Sequence, residues 1–135
     1  MTQEGDESNH AWFEALYAHQ GGKLDRYEFD WSTNGCNDPA PDELDGFDFR
    51  MACWRHDFGY GNYSALLGKE SFHNSLNGRA DRDRVDRVFL EDLNRVCESR
   101  AFPVDHTDWQ RAECRRVAPV YYKALLAKGW LDTAQ

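Results

Sequence analysis

The chain has no run of about 18 apolar residues, the length a membrane-spanning helix needs, so no segment is expected to cross a bilayer. It has no basic excess either. With 24 acidic against 16 basic residues the formal net charge is −8, whereas nucleic-acid binders carry basic patches. The same balance argues against strong attraction to anionic lipid and leaves zwitterionic lipid open; taken alone, it can equally serve solubility. No CxxC pair is present, which argues against a structural zinc site. The opening residues MTQEGDESNH contain neither a basic n-region nor an apolar h-region, so no signal peptide is visible. Internal repeats, low-complexity tracts and convincingly alternating strands are missing as well.

What remains fits one domain. A chain of 135 residues buries roughly two-thirds of its unfolded surface in a single core. Its four cysteines, Cys36, Cys53, Cys97 and Cys114, are an even set that admits two disulfides in three connectivities. The pairs Cys36/Cys53 and Cys97/Cys114 are equally spaced, and closing either loop is worth about 3 kcal/mol in the chain-entropy model. A metal site or four free thiols are the alternatives. Disulfides imply export while no leader is visible; a processed, mature chain reconciles the two.

Apolar spacing predicts helices. Trp12, Phe13, Leu16 and Tyr17 mark one over 10–20, ended by Gly21-Gly22, which leaves 1–9 as a polar tail before a domain spanning 10–130. YEFDW (27–31) is a short aromatic segment, and 32–46 is turn-forming. Phe49, Ala52, Cys53, Tyr60 and Tyr63 share a helical face over 47–64. A loop follows at 67–81. Val85, Val88, Phe89, Leu93, Val96 and Cys97 give the clearest amphipathic helix, 79–98. A last helix covers 107–128, with Pro119 as the place for a bend. The fold class is all-α.

Chemistry concentrates on one stripe. Phe49, Cys53, His56, Tyr60 and Tyr63 follow each other at helical spacing, so His56 points into the core, and Asp57 lies about 100° further round. A lone histidine on an apolar face is commonly structural. Here, however, Asp86 falls on the apolar line Asp86–Phe89–Leu93–Cys97, which Asp81, Asp83 and Asp92 share less well. A buried carboxylate needs a partner. His56 would satisfy it, leaving its other ring nitrogen as a general base; a structural pair with Arg82 or Arg55 is the plainer alternative. Asp57 suits a hard cation such as Ca²⁺, with carbonyls of the Asn34-Gly35 turn as further ligands. A Cys36–Cys53 bond would bring that turn onto the His56 helix. His56 and Asp57 are then adjacent because a base and an oxyanion-stabilising cation must flank one substrate carbonyl.

The segments YEFDWSTNGC (27–36), FDFRMACWRHDFGYGNY (47–63) and RVDRVFLEDLNRVC (84–97) resemble the small secreted phospholipase A2 family of bacteria and fungi, with CxRHDFGYxN as a highly specific motif. The resemblance covers roughly residues 10 to 128. It implies a compact helical domain with two long antiparallel helices carrying the active site, and the disulfides Cys36–Cys53 and Cys97–Cys114. It further implies that His56 is catalytic, Asp86 its partner, and Asp57, Asn34 and the Gly35 carbonyl the calcium ligands. The family usually has Asp where Asn34 stands, so weaker calcium binding is expected. The implied reaction is calcium-dependent hydrolysis of the sn-2 acyl ester of glycerophospholipids to fatty acid and lysophospholipid. It would be carried out by a secreted monomer at a phospholipid aggregate or membrane surface.

Two rival readings stand beside this one. An HD-type metal phosphohydrolase needs a second distant His and Asp, and His10, His19, His73 and His106 have no acid at helical spacing that completes such a set. A non-catalytic phospholipase-like module binding membrane or a receptor is the other. Trp12, Trp54 and Trp130 could touch lipid, although core or half-buried roles suit each of them better.

Overall fold

The structure, a computed structural model, describes residues 1–22, 29–31, 33, 36, 43–44, 47–68, 72, 76–98 and 107–134. Four helices occupy most of these residues: α1 (Asp6–Gln20), α2 (Arg50–Leu67), α3 (Leu76–Glu98) and α4 (Asp108–Ala134). The fold is all-α, with two disulfides, Cys36–Cys53 and Cys97–Cys114, whose Cα atoms are 5.2 and 5.4 Å apart. One antiparallel pair of two-residue strands, β1 (Glu43–Leu44) and β2 (Phe47–Asp48), precedes α2. Two residues are too few for a period-2 pattern to appear in a sequence, although Asp-Gly between short apolar pieces is the usual signal of a tight strand connection.

The helix limits differ from those the apolar spacing suggests, each time for a local reason. α1 begins at Asp6, four residues before the start at position 10 that the apolar spacing suggests. Gly5, at φ 102°, turns the chain into it, and Asp6 and Glu7 complement the positive end of the helix dipole. α3 runs back to Leu76, through Gly78. A helical glycine costs about 1 kcal/mol relative to alanine, and that penalty makes LNGRAD resemble a loop. α4 continues through Pro119. Proline withholds the donor that the Arg115 carbonyl would take, and both residues lie on the exposed side, where water can replace it.

α2 and α3 run antiparallel. Their partners descend along α3 as α2 ascends: Arg55 meets Asp92, His56 meets Asp86, Gly59 meets Val85, and Tyr63 meets Arg84. α4 lies on α3, tied by Cys97–Cys114, and its Ala118 and Tyr121 join Phe89 and Leu93 in the main core. Each such large apolar side chain adds about 1.5–3 kcal/mol on burial. Phe47, Phe49 and Cys36 close the same core from the strand side.

α1 packs against another face of α2 through Trp12 and Leu16, which meet Trp31 and Phe58. Trp12 stands edge-on to both Trp54 and Phe58. Trp12 is therefore core, and Trp54 is half-buried with its indole N–H donated to the Trp31 carbonyl at 3.1 Å. The Trp130 side chain lies outside the described residues. Among the described residues the exposed tryptophan is Trp109, at 72%.

Candidate active site

The α2–α3 pair approaches closely at one glycine. A Cβ on Gly59 would lie 2.7 Å from Cγ1 and 3.0 Å from Cγ2 of Val85, so only glycine fits there. One turn before Gly59 on α2 is His56; next after Val85 on α3 is Asp86. The glycine thus sets the distance across which those two side chains meet.

His56 is 6% exposed, and its Nε2 lies 3.0 Å from Asp86 Oδ1. A carboxylate only accepts, so Nε2 carries the proton and Nδ1 presents a lone pair. Among the described residues Nδ1 has no hydrogen-bond partner. The ring sits between Tyr60 and Phe89, with centroids 4.4 and 4.6 Å away, which restricts its rotation. Tyr60 donates its hydroxyl to the same Asp86 oxygen at 2.6 Å. Burial, and then the Asp86 charge, raise the Tyr60 phenol far above its ordinary range, so it stays a donor at every ordinary pH. Of the two roles read for Asp86, the geometry brings it to His56 and not to Arg82 or Arg55. Arg82 instead donates to the Phe72 carbonyl.

Asp57 is half-buried on α2, one residue beyond His56, and its Oδ2 accepts the Thr33 hydroxyl at 2.6 Å. Cys36 is bonded to Cys53, one turn before Asp57. Thr33 and Cys36 are therefore both anchored on α2, and they flank Asn34 and Gly35 in sequence. Asn34 and Gly35 themselves lie outside the described residues. The Asp57 carboxylate and the Thr33 hydroxyl are hard oxygen donors, which suit Ca²⁺ and do not suit a soft transition metal. Among the described residues no three His, Cys, Asp or Glu side chains are grouped to hold a metal.

One feature of the site was not legible as a candidate. Asp92 is 6% exposed and Arg55, next to His56, is 3% exposed; the two form a buried ion pair with Nη1 3.0 Å from Oδ1. Asp92 lies on a second apolar line, Val85–Val88–Asp92, rather than on the Asp86 line. Burial lifts the Asp92 carboxyl to about 6 against the pull of Arg55 and Arg95. It lowers the Arg55 guanidinium likewise, against the pull of Asp92. Both shifts say that keeping these charges out of water is costly.

These features define a class: a small all-α, two-disulfide protein whose paired long helices hold a His–Asp dyad beside a second carboxylate. Residues 8–129 match the family model described as prokaryotic phospholipase A2, and the chain belongs to that family. It is also similar to two fungal proteins named secretory phospholipase A2. It is 37% identical over 95 residues to the one from Arthroderma benhamiae, and 35% identical over 94 residues to the one from Beauveria bassiana. Each match takes in 69% of this chain but only 55% and 40% of those proteins' own lengths.

Proposed function

We propose that this chain hydrolyses the sn-2 acyl ester of glycerophospholipids in the presence of Ca²⁺, releasing a fatty acid and a lysophospholipid. Membership of the phospholipase A2 family supports the substrate class. The observation that carries the mechanism is His56, held at Nε2 by Asp86 with its Nδ1 lone pair unpartnered among the described residues, one residue from Asp57.

In this reading His56 Nδ1 takes a proton from a water molecule as the water oxygen bonds to the ester carbonyl carbon. Asp86 balances the imidazolium that forms, and Tyr60 holds Asp86 in place. When the ester C–O bond breaks, the proton passes to the departing lysophospholipid oxygen. Water serves as the nucleophile in this reading, since among the described residues Cys53 is consumed in a disulfide and Ser64 stands two turns beyond His56 on α2. Held by Asp57, Asn34 and the Gly35 carbonyl, Ca²⁺ would supply positive charge for the carbonyl oxygen as it becomes an oxyanion.

A phospholipid aggregate or membrane surface is the partner this reaction requires. No helix among the described residues is long and apolar enough to cross a membrane, and the contact proposed is peripheral. Two disulfides suit an oxidising compartment, and together with the relatives' name they support export. Hydrolysis of phosphatidylcholine labelled separately at sn-1 and sn-2, with and without chelator, tests the proposal. Release of the sn-2 label alone, abolished by chelator and by His56→Ala, is expected. Release of sn-1 label, chelator-insensitive turnover, or isolation of an acyl-enzyme overturns it.

A further inference from the structure

We infer that Arg55 is a positioning residue for the His56–Asp86 pair, and that the N-terminal segment Met1–Asn9 acts on that pair through it. This rests on the reading of His56 as the general base. The guanidinium is spanned by contacts on every side. Nη1 donates to Asp92 Oδ1 at 3.0 Å and Oδ2 at 3.2 Å, and to Asn9 Oδ1 at 3.1 Å. Nε donates to the Met1 carbonyl at 3.2 Å. Nη2 donates to the carbonyls of Met1 and Gln3 at 3.0 and 3.1 Å, and to the Ser8 hydroxyl at 3.0 Å.

Several polar ties join α2 and α3: those of His56, Tyr60 and Tyr63 leave one side of α2, and that of Arg55 to Asp92 leaves from the residue next to His56, on another side. Consecutive helical residues project about 100° apart. Ties on one side alone fix a separation; a further tie about 100° round also fixes the roll of α2 about its own axis. Roll is what aims the His56 ring. Arg55 and His56 line one small cavity of about 10 Å³ together with Thr2, Gly59, Val85 and Val88, so the two side chains are near neighbours on α2.

Stability alone does not account for the arrangement. A buried ion pair is commonly no more stabilising than an apolar pair of the same volume, because desolvation offsets the attraction. An apolar pair has no direction, however, whereas a planar fork has a fixed one. The segment 1–9 is then part of the machinery, because four of its residues complete the fork's hydrogen bonds. An Arg55→Lys side chain would keep the charge but offer three donors in place of five.

The experiment compares Arg55→Lys, the double variant Ser8→Ala/Asn9→Ala, and Leu16→Ala in the full chain. Leu16 is buried in the α1 core away from Arg55, and its truncation lowers stability without touching any of these ties. Turnover of sn-2-labelled phosphatidylcholine is measured well below each variant's Tm, and the His56 Nε2 proton is followed by NMR. Arg55→Lys is expected to lower kcat about 10- to 100-fold with little change in KM, and to move or broaden the Nε2 proton signal. Ser8→Ala/Asn9→Ala is expected to shift both in the same direction by less. Leu16→Ala is expected to lower Tm while leaving kcat and the signal as they were. A lower Tm with unchanged kcat and an unmoved signal in Arg55→Lys would overturn the inference, as would equal kcat loss in Leu16→Ala. Should Arg55→Lys fail to fold, an unchanged signal in Ser8→Ala/Asn9→Ala overturns it too. A wild-type chain without esterase activity refutes the function instead, and the NMR signal still decides the positioning.

Discussion

Gly59→Ala is a small change with a large expected consequence. Its Cβ would sit 2.7 Å from Val85 Cγ1, whereas carbon atoms pack at about 3.5–4.0 Å. Val85 is buried and β-branched, and in a helix such a side chain keeps essentially one rotamer, so it cannot swing aside. The helices must therefore part by about 1 Å at this level. His56 Nε2 and Asp86 Oδ1, now 3.0 Å apart, would move out of hydrogen-bond range. Overpacking costs about 1–3 kcal/mol, and replacing a helical glycine returns about 1 kcal/mol, so the net loss is about 0–2 kcal/mol. Stability changes little while turnover falls, by about 100-fold for a misplacement of this size. Thermal melts and initial rates on labelled phosphatidylcholine measure both. Adding Val85→Ala removes the clashing methyl groups and should restore most of the rate. A raised Tm with an unchanged rate for Gly59→Ala alone would refute the reasoning, because it would mean that α3 gives way without disturbing the pair.

Other consequences are open to direct measurement. The Asp92 carboxyl, followed by carbon NMR, should titrate near pH 6 in the folded chain. Its unfolded value is about 3.9, so this group binds protons more tightly when folded; its contribution to stability is present below about pH 4 and lost as pH rises through 6. A midpoint below 4 would mean that Arg55 and Arg95 outweigh burial. Replacing Cys97 and Cys114 together by alanine should cost about 3 kcal/mol in urea unfolding, and a loss under about 1 kcal/mol would contradict the loop-closure account. Asn34→Asp should tighten calcium binding by roughly 1–2 kcal/mol in calorimetry, with little change in rate at saturating calcium. Unchanged affinity would show that position 34 does not reach the ion.

The inward face of α2 was legible because one polar residue, His56, interrupts an otherwise apolar line, and a polar residue on such a line needs an explanation. Asp86 stood out in the same way. Arg55 and Asp92 did not, because each lies about 100° or more round its helix from the main apolar line, where a charged residue ordinarily meets water. What buries them is the partner helix and the segment before Phe13, and neither is visible from periodicity within one helix. The start of α1 was hidden for a related reason. Ser8 and Asn9 look like tail residues by composition, and they are ordered by hydrogen bonds to Arg55, 47 and 46 positions away.

The strongest constraint that a single-helix reading leaves unused is the register between helices. Once His56 is set against Asp86 in an antiparallel pair, residues later in α2 must face residues earlier in α3. Gly59 then falls beside Val85, and a glycine opposite a β-branched residue marks a point of closest approach. In the other direction Arg55 faces the stretch that contains Asp92, so a buried guanidinium acquires a carboxylate within reach of its long side chain. Both features follow from one contact and the direction of two helices. The dyad is thus the source of the remaining geometry as much as its product: the residues that hold its separation and roll are those its own register brings opposite one another.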